Sequence, residues 1–150
     1  MRFAYTGIIS SAADKGEFMV IFRPEVRIIV HGPRGAREVQ ALVDTGADNT
    51  ILPGSAARAL GITLKRATGP AAQAFGGQEI VLSYADVELE LMHSDTRLRW
   101  PAHVYFRVGK EDEEGALLGQ QGFLEYFTAV FQGDECVLDL EVNPNLPQRA

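Results

Sequence analysis

Ala41-Leu42-Val43-Asp44-Thr45-Gly46-Ala47-Asp48-Asn49-Thr50-Ile51-Leu52 is the stretch that decides how this chain is read. One apolar run enters an Asp-Thr-Gly, and a second leaves it toward Pro53. Burial of the incoming strand would hold the Asp44 carboxylate rigidly at a strand-to-turn junction. Gly46 lacks a β-carbon and permits a tight turn in which backbone N–H groups approach that carboxylate. Thr45 adds a hydroxyl on a side chain that is stiff at χ1. Asp and Gly also make ordinary Asx-type turns, so the weight lies in the whole pattern through Pro53 rather than in the tripeptide. Asp-Thr-Gly occurs once in the chain, so each chain supplies one such carboxylate.

Outward from this stretch, the chain reads as short strands. Val26 to Val30 is rich in β-branched residues, and His31-Gly32-Pro33-Arg34-Gly35 carries turn residues. Residues 26–30 and 37–43 are therefore expected to pair as a hairpin that delivers the chain to Asp44. Val87-Glu88-Leu89-Glu90-Leu91 alternates apolar with charged residues, as a half-buried strand does. Gly54 to Gly61 has Ser near its start, alanines within and Gly after, which predicts a short helix. A second helix is expected from Gln120 to about Phe127, with Phe123 and Phe127 on one face. Gly133-Asp134 reads as a turn before a last strand over 135–142. The expected architecture is mainly β and barrel-like, with one or two short helices.

The 150 residues suit one domain with a real core. With 46% hydrophobic and 23% charged residues, the composition is that of a globular chain. A net charge of −6 argues against nucleic acid or an anionic membrane as the main partner. Cys136, the only cysteine, excludes an internal disulfide and a cysteine-rich zinc site. His31, His93 and His103 lack metal-ligand spacing. A calcium loop at Asp44 and Asp48 would need an oxygen ligand where Gly46 stands and a closing Glu where Ser55 stands. No metal and no cofactor is therefore expected. The first residues lack the apolar core of a secretory signal, and no run has membrane-spanning length, so a cytoplasmic location is the expectation.

Two further segments follow Asp44 in a fixed order. Ala74-Phe75-Gly76-Gly77 lies between expected strands, where a plain hairpin turn is the simplest account. Leu117-Leu118-Gly119 follows, running into Gln120-Gln121-Gly122-Phe123-Leu124, and Gly119 would let two backbones pack closely. With the Asp44 stretch, these segments resemble the retropepsin-like (retroviral-type) aspartic peptidases, and the chain looks like a single-domain member of bacterial type. The resemblance covers residues 25–142. It leaves residues 1–24 as an N-terminal extension of unassigned structure and residues 143–150 as a flexible tail.

The resemblance implies an acid-protease barrel with half a site per chain, completed in a homodimer. Asp44 resembles the catalytic aspartate, Thr45 the residue whose hydroxyl grips the opposite loop, and Gly46 the close-packing glycine. Ala47, Asp48 and Asn49 resemble positions along bound substrate. Ala74, Phe75, Gly76 and Gly77 resemble a flap that closes over peptide. The implied activity is endopeptidase cleavage of a peptide or protein substrate by water held between two Asp44 carboxylates. Gln120 and Gln121 depart from the charged or acid/amide residues common in the family. Ala47 removes a hydroxyl that could stabilise ionised Asp44, so a less acidic working pH is expected than for Ala47→Ser. The rival reading is a retropepsin-like dimerisation or peptide-binding module without cleavage. Retention of Asp-Thr-Gly favours the enzyme.

Overall fold

Alternating apolar residues in the long strands all turn toward one interior. The computed structural model describes residues 1–12, 16–68, 82–109 and 115–147. In chain order its strands are β1 (Arg2–Ala4), β2 (Thr6–Ala12), β3 (Glu17–Arg23), β4 (Glu25–Gly32), β5 (Gly35–Val43) and β6 (Ile51–Pro53). Helix α1 (Gly54–Leu60) comes next, then β7 (Lys65–Arg66), β8 (Leu82–His93), β9 (Thr96–Arg107) and β10 (Ala116–Leu118). A 3-10 turn (Leu124–Tyr126) precedes β11 (Phe127–Gln132) and β12 (Val137–Val142).

The expected hairpin is β4–β5, paired from Glu25↔Leu42 to Gly32↔Gly35. Val26 and Ile28 on β4 lie opposite Ala41 and Val39 on β5, and these four are buried together with Val30 and Val43. From β5 the sheet continues through β10, β6, β9 and β8, and β8 pairs back onto β4 from Ile28↔Leu91 to His31↔Glu88. The ring thus closes as a six-strand barrel, which removes the open edges a flat sheet would leave. β7 pairs with the start of β8, beyond the reach of β4. Leu89, Leu91, Trp100, Val104, Phe106 and Leu118 fill the interior.

A second sheet, ordered β1-β12-β11, covers one end of this core. Leu138 and Leu140 are buried there, and Trp100 meets Phe127 edge-on at 5.7 Å between ring centroids. β1 belongs to this sheet, with Arg2↔Asp139 and Phe3↔Leu138 in register. β2 and β3 form a separate hairpin from Thr6↔Arg23 to Ala12↔Glu17. At the other end of the chain, the Asn143 N–H donates to the Tyr126 carbonyl at 3.0 Å.

α1 lies where the sequence predicts it, and Gly61 ends it in the left-handed conformation, φ 67°. Ser55 is not its cap: Pro53 occupies that position, and Ser55 is buried within the first turn. The expected helix over 120–127 is corrected to the single 3-10 turn, with Phe127 already in β11. The reason is the backbone at Gly122 and at Phe123 (φ −140°, ψ −71°), which leaves the helical region, so the Leu124 and Glu125 N–H groups bond five residues back to Gly119 O and Gln120 O. The N–H groups of Gln120 and Gln121 bond to Ala47 O and Asp48 O, both at 2.9 Å, and Gly122 has φ +89°. Phe123 and Phe127 still share a face, with centroids 4.8 Å apart.

Candidate active site

β5 carries the chain into the loop 44–50, and main-chain bonds hold that loop from both sides. Val43 N–H donates to Pro24 O at 2.9 Å, and Asp44 N–H to Leu118 O at 3.0 Å. The second bond extends the parallel pairing Ala116↔Ala41 to Leu118↔Val43 by one step, so β10 runs directly behind Asp44. At the turn, Gly46 N–H donates to Asp44 Oδ1 at 2.9 Å, and Ala47 N–H to Asp44 O at 3.2 Å. The first of these is an Asx turn that fixes the carboxylate.

The segment after β10 locks the far side of the loop. Gln120 and Gln121 donate to Ala47 and Asp48, and Thr50 N–H returns to Gln121 O at 3.1 Å. The Gln120 side chain reaches Thr45 O at 3.1 Å. The two backbones cross at Gly119, where an added Cβ would lie 2.4 Å from Asn49 O and 2.6 Å from Ala47 O. Only glycine fits there. Thr50, fully buried, accepts the Gly119 N–H on its hydroxyl at 3.3 Å, and its carbonyl accepts Tyr105 N–H at 3.0 Å.

Asp44 is half-buried, and Thr45, Gly46 and Asp48 are exposed along the same rim, with Ala47 and Asn49 partly covered. Among the described residues, neither the Thr45 hydroxyl nor the Asp48 carboxylate has a partner within the chain. Asp44 and Thr45 line a shallow cavity of about 280 Å³ with Pro24, Leu42, Val43 and Phe131. That lies just under the roughly 300–1,000 Å³ of a small-molecule site and is far too small for an extended peptide. Ala74, Phe75, Gly76 and Gly77 lie outside the described residues. The strands on either side of them are described: β7 and β8 are antiparallel neighbours, with Arg66↔Ser83 in register.

Residues 44–49 form one continuous loop, of which Asp44 and Thr45 line the cavity. The sequence does not single out Thr50, Pro24 or Phe131, and it marks Gln120 only as a departure from the family pattern. Thr50 and Gln120 lie within segments already read as motifs, but their bonds depend on where the two segments cross. Pro24 and Phe131 carry no signal in sequence. No three His, Cys, Asp or Glu among the described residues group closely enough to hold a metal ion.

A family model described as "gag-polyprotein putative aspartyl protease" matches residues 34–125. Among solved structures, the chain is similar to a retropepsin-like aspartic protease from Rickettsia conorii. That match has 20% identity and a TM-score of 0.52, over 89% of this chain and 97% of that one. It is also similar to EIAV protease complexed with the inhibitor HBY-793, at 16% identity and a TM-score of 0.41, over 65% of this chain and 82% of that one. No curated protein matches it. The likeness to the Rickettsia structure is one of fold: a mainly β barrel with a short helix.

Proposed function

This chain belongs to the retropepsin-like aspartyl protease family, and on that premise we propose that it is an aspartic endopeptidase acting as a homodimer. The observation that carries the reading is the Asp44 loop. One half-buried carboxylate, fixed by the Gly46 N–H, stands at the rim of a cavity too small for a peptide. A second copy related by a two-fold axis would bring a second Asp44 and a second half-cavity to the same place. The unbonded Thr45 hydroxyl is then available to the opposite loop.

Two carboxylates this close share one proton, because both cannot readily ionise. The ionised Asp44 takes a proton from the water between them as its oxygen attacks the scissile carbonyl carbon. The protonated Asp44 gives its proton to the carbonyl oxygen, and a tetrahedral diol results. On collapse the C–N bond breaks, the leaving nitrogen receives a proton from the carboxyl that gained one, the other Asp44 carboxylate takes a proton from a diol hydroxyl, and a carboxylic acid and an amine are released with the pair again sharing one proton. Asp48 and Asn49 are assigned to the substrate backbone beside the scissile bond. Gly46 and Ala47 shape the floor, and residues 74–77 are assigned to the covering flap.

A peptide-library digest by wild type and Asp44→Asn over a range of pH tests the reading. Cleavage by wild type alone is expected, falling more steeply than linearly on dilution. No cleavage by wild type at any pH would transfer the assignment to a peptide-binding module.

A further inference from the structure

β3 reads Glu17-Phe18-Met19-Val20-Ile21-Phe22-Arg23, and every residue of its apolar run is exposed. Neighbours alternate across a strand, so Phe18, Val20 and Phe22 share one face. The register sets Ile9 opposite Val20 and Gly7 opposite Phe22. Gly7 leaves room for both side chains to lean inward, since a Cβ there would meet Phe22 Cε1 and Val20 Cγ1 at 3.3 Å. The result is a contiguous face of Ile9, Phe18, Val20 and Phe22, exposed to 74, 80, 56 and 54%. Neither β2 nor β3 pairs with a third strand among the described residues. A lone two-stranded hairpin is marginal in water, and a contiguous apolar face of this kind marks an interaction site.

We infer that the β2–β3 hairpin is an association arm whose apolar face docks on a second copy of this chain and so assembles the two-carboxylate site. This rests on the homodimer reading above. The roots of the arm favour that occupant. Pro24, directly after β3, accepts the Val43 N–H and lines the Asp44 cavity. Thr6, at the start of β2, accepts the Gln40 side-chain N–H at 3.2 Å. Both roots are therefore tied to β5, the strand that delivers Asp44. Phe131, also exposed, lines the same cavity as Pro24. An anionic bilayer fits less well, because the chain carries a net charge of −6.

The area is adequate for an association surface. Taking ~200 Å² for each phenylalanine, the exposed parts of Phe18 and Phe22 supply roughly 270 Å² per arm. Two arms then give about half of the ~1,000 Å² that a stable interface needs. Ile9, Val20 and the strip covered on the partner supply the rest.

Sedimentation equilibrium on the full chain tests this, comparing wild type with Phe18→Ser/Phe22→Ser. Far-UV circular dichroism and thermal unfolding establish that the barrel is intact. Ile9→Ser/Val20→Thr, milder for strand structure, is the second variant and is judged alike. Wild type is expected to be dimeric, with the dissociation constant raised roughly 30-fold or more in the variants. Two variant copies joined by a flexible linker are expected to regain cleavage, because linkage raises the local concentration. Variants that dimerise as tightly as wild type overturn the arm and leave the two-copy site standing. A wild type that is monomeric yet cleaves overturns both. A wild type whose arm binds phosphatidylcholine vesicles, with a dimer constant indifferent to these substitutions, assigns the arm to a membrane and overturns the inference.

Discussion

Gly119→Ala tests whether the crossing of two backbones holds the candidate site. The added methyl would sit 2.4 Å from Asn49 O and 2.6 Å from Ala47 O. Both contacts are main-chain atoms, so no rotamer change relieves them. Restoring an ordinary separation of about 3.5 Å requires the loop and the backing segment to part by roughly 1 Å. Overpacking of this kind costs about 1–3 kcal/mol. The same movement strains the bonds Gln120 N–H to Ala47 O and Gln121 N–H to Asp48 O, both 2.9 Å. Losing both adds about 1–3 kcal/mol at a net ~0.5–1.5 each.

The expected loss is therefore about 2–6 kcal/mol, which at about 2–4 °C per kcal/mol for a chain of this size lowers the melting temperature by roughly 4–24 °C. Where the variant stays folded, a ~1 Å displacement beside Asp44 should lower kcat/KM by about 100-fold. Gly115→Ala is the control, because nothing lies within 4 Å of its added Cβ. The assay is a thermal melt beside peptide hydrolysis at fixed dimer concentration. A Gly119→Ala variant within about 0.5 kcal/mol of wild type, and within twofold of its activity, would refute the claim that this crossing fixes the loop.

Thr50→Val keeps the shape but removes the hydroxyl that accepts the buried Gly119 N–H. Because that bond is long, 3.3 Å, the loss expected from denaturant titration is near the low end of ~1–3 kcal/mol. Ala47→Ser offers a hydroxyl to Asp44, which favours the ionised carboxylate. Its pH–rate profile should move to lower pH, and an unmoved or opposite profile excludes the effect. The Asp139 carboxyl is held below its usual range by the hydrogen bond from Arg2, against an opposing desolvation effect. Its contribution to stability is thus present above the ordinary carboxylate pKa and lost as pH falls through the lowered value. Asp139→Asn should therefore lower the urea midpoint at pH 7 and leave it unchanged in strong acid.

What was legible in sequence is what neighbours along the chain decide. The β-branched run 26–30, the Gly-Pro turn after it and the apolar entry to Asp44 specify the β4–β5 hairpin locally, and the structure has it in that register. Gly61 ends α1 for an equally local reason. The segment 120–127 has helical periodicity but is not a helix, because Gly122 and Phe123 leave the helical region where the segment crosses the Asp44 loop, and periodicity does not register that crossing. Thr50 looked like one more β-branched residue. Its buried hydroxyl matters only because Gly119 arrives beside it. Residues 18–22 form an unbroken apolar run of the kind that fills a buried strand. The pattern says that both faces want cover, and it cannot say that the chain's own fold leaves them bare.

The way the loop is held bears on how the two functional readings can be separated. Asp44 takes its position from main-chain bonds to Leu118 and Gly46, and the loop beyond it from main-chain bonds to Gln120 and Gln121. The Asp44 carboxylate itself bonds only the Gly46 N–H among the described residues, so it supports one turn and little of the barrel. An Asn at residue 44 keeps an oxygen that can accept that N–H, and its amide is nearly isosteric. Folding and association should therefore survive Asp44→Asn, while the chemistry, which needs a carboxylate able to take and return a proton, should not. Substitutions at Gly119, by contrast, disturb loop geometry and stability together, so they cannot distinguish a peptidase from a binding module. The discriminating variant is the one whose side chain the fold uses least.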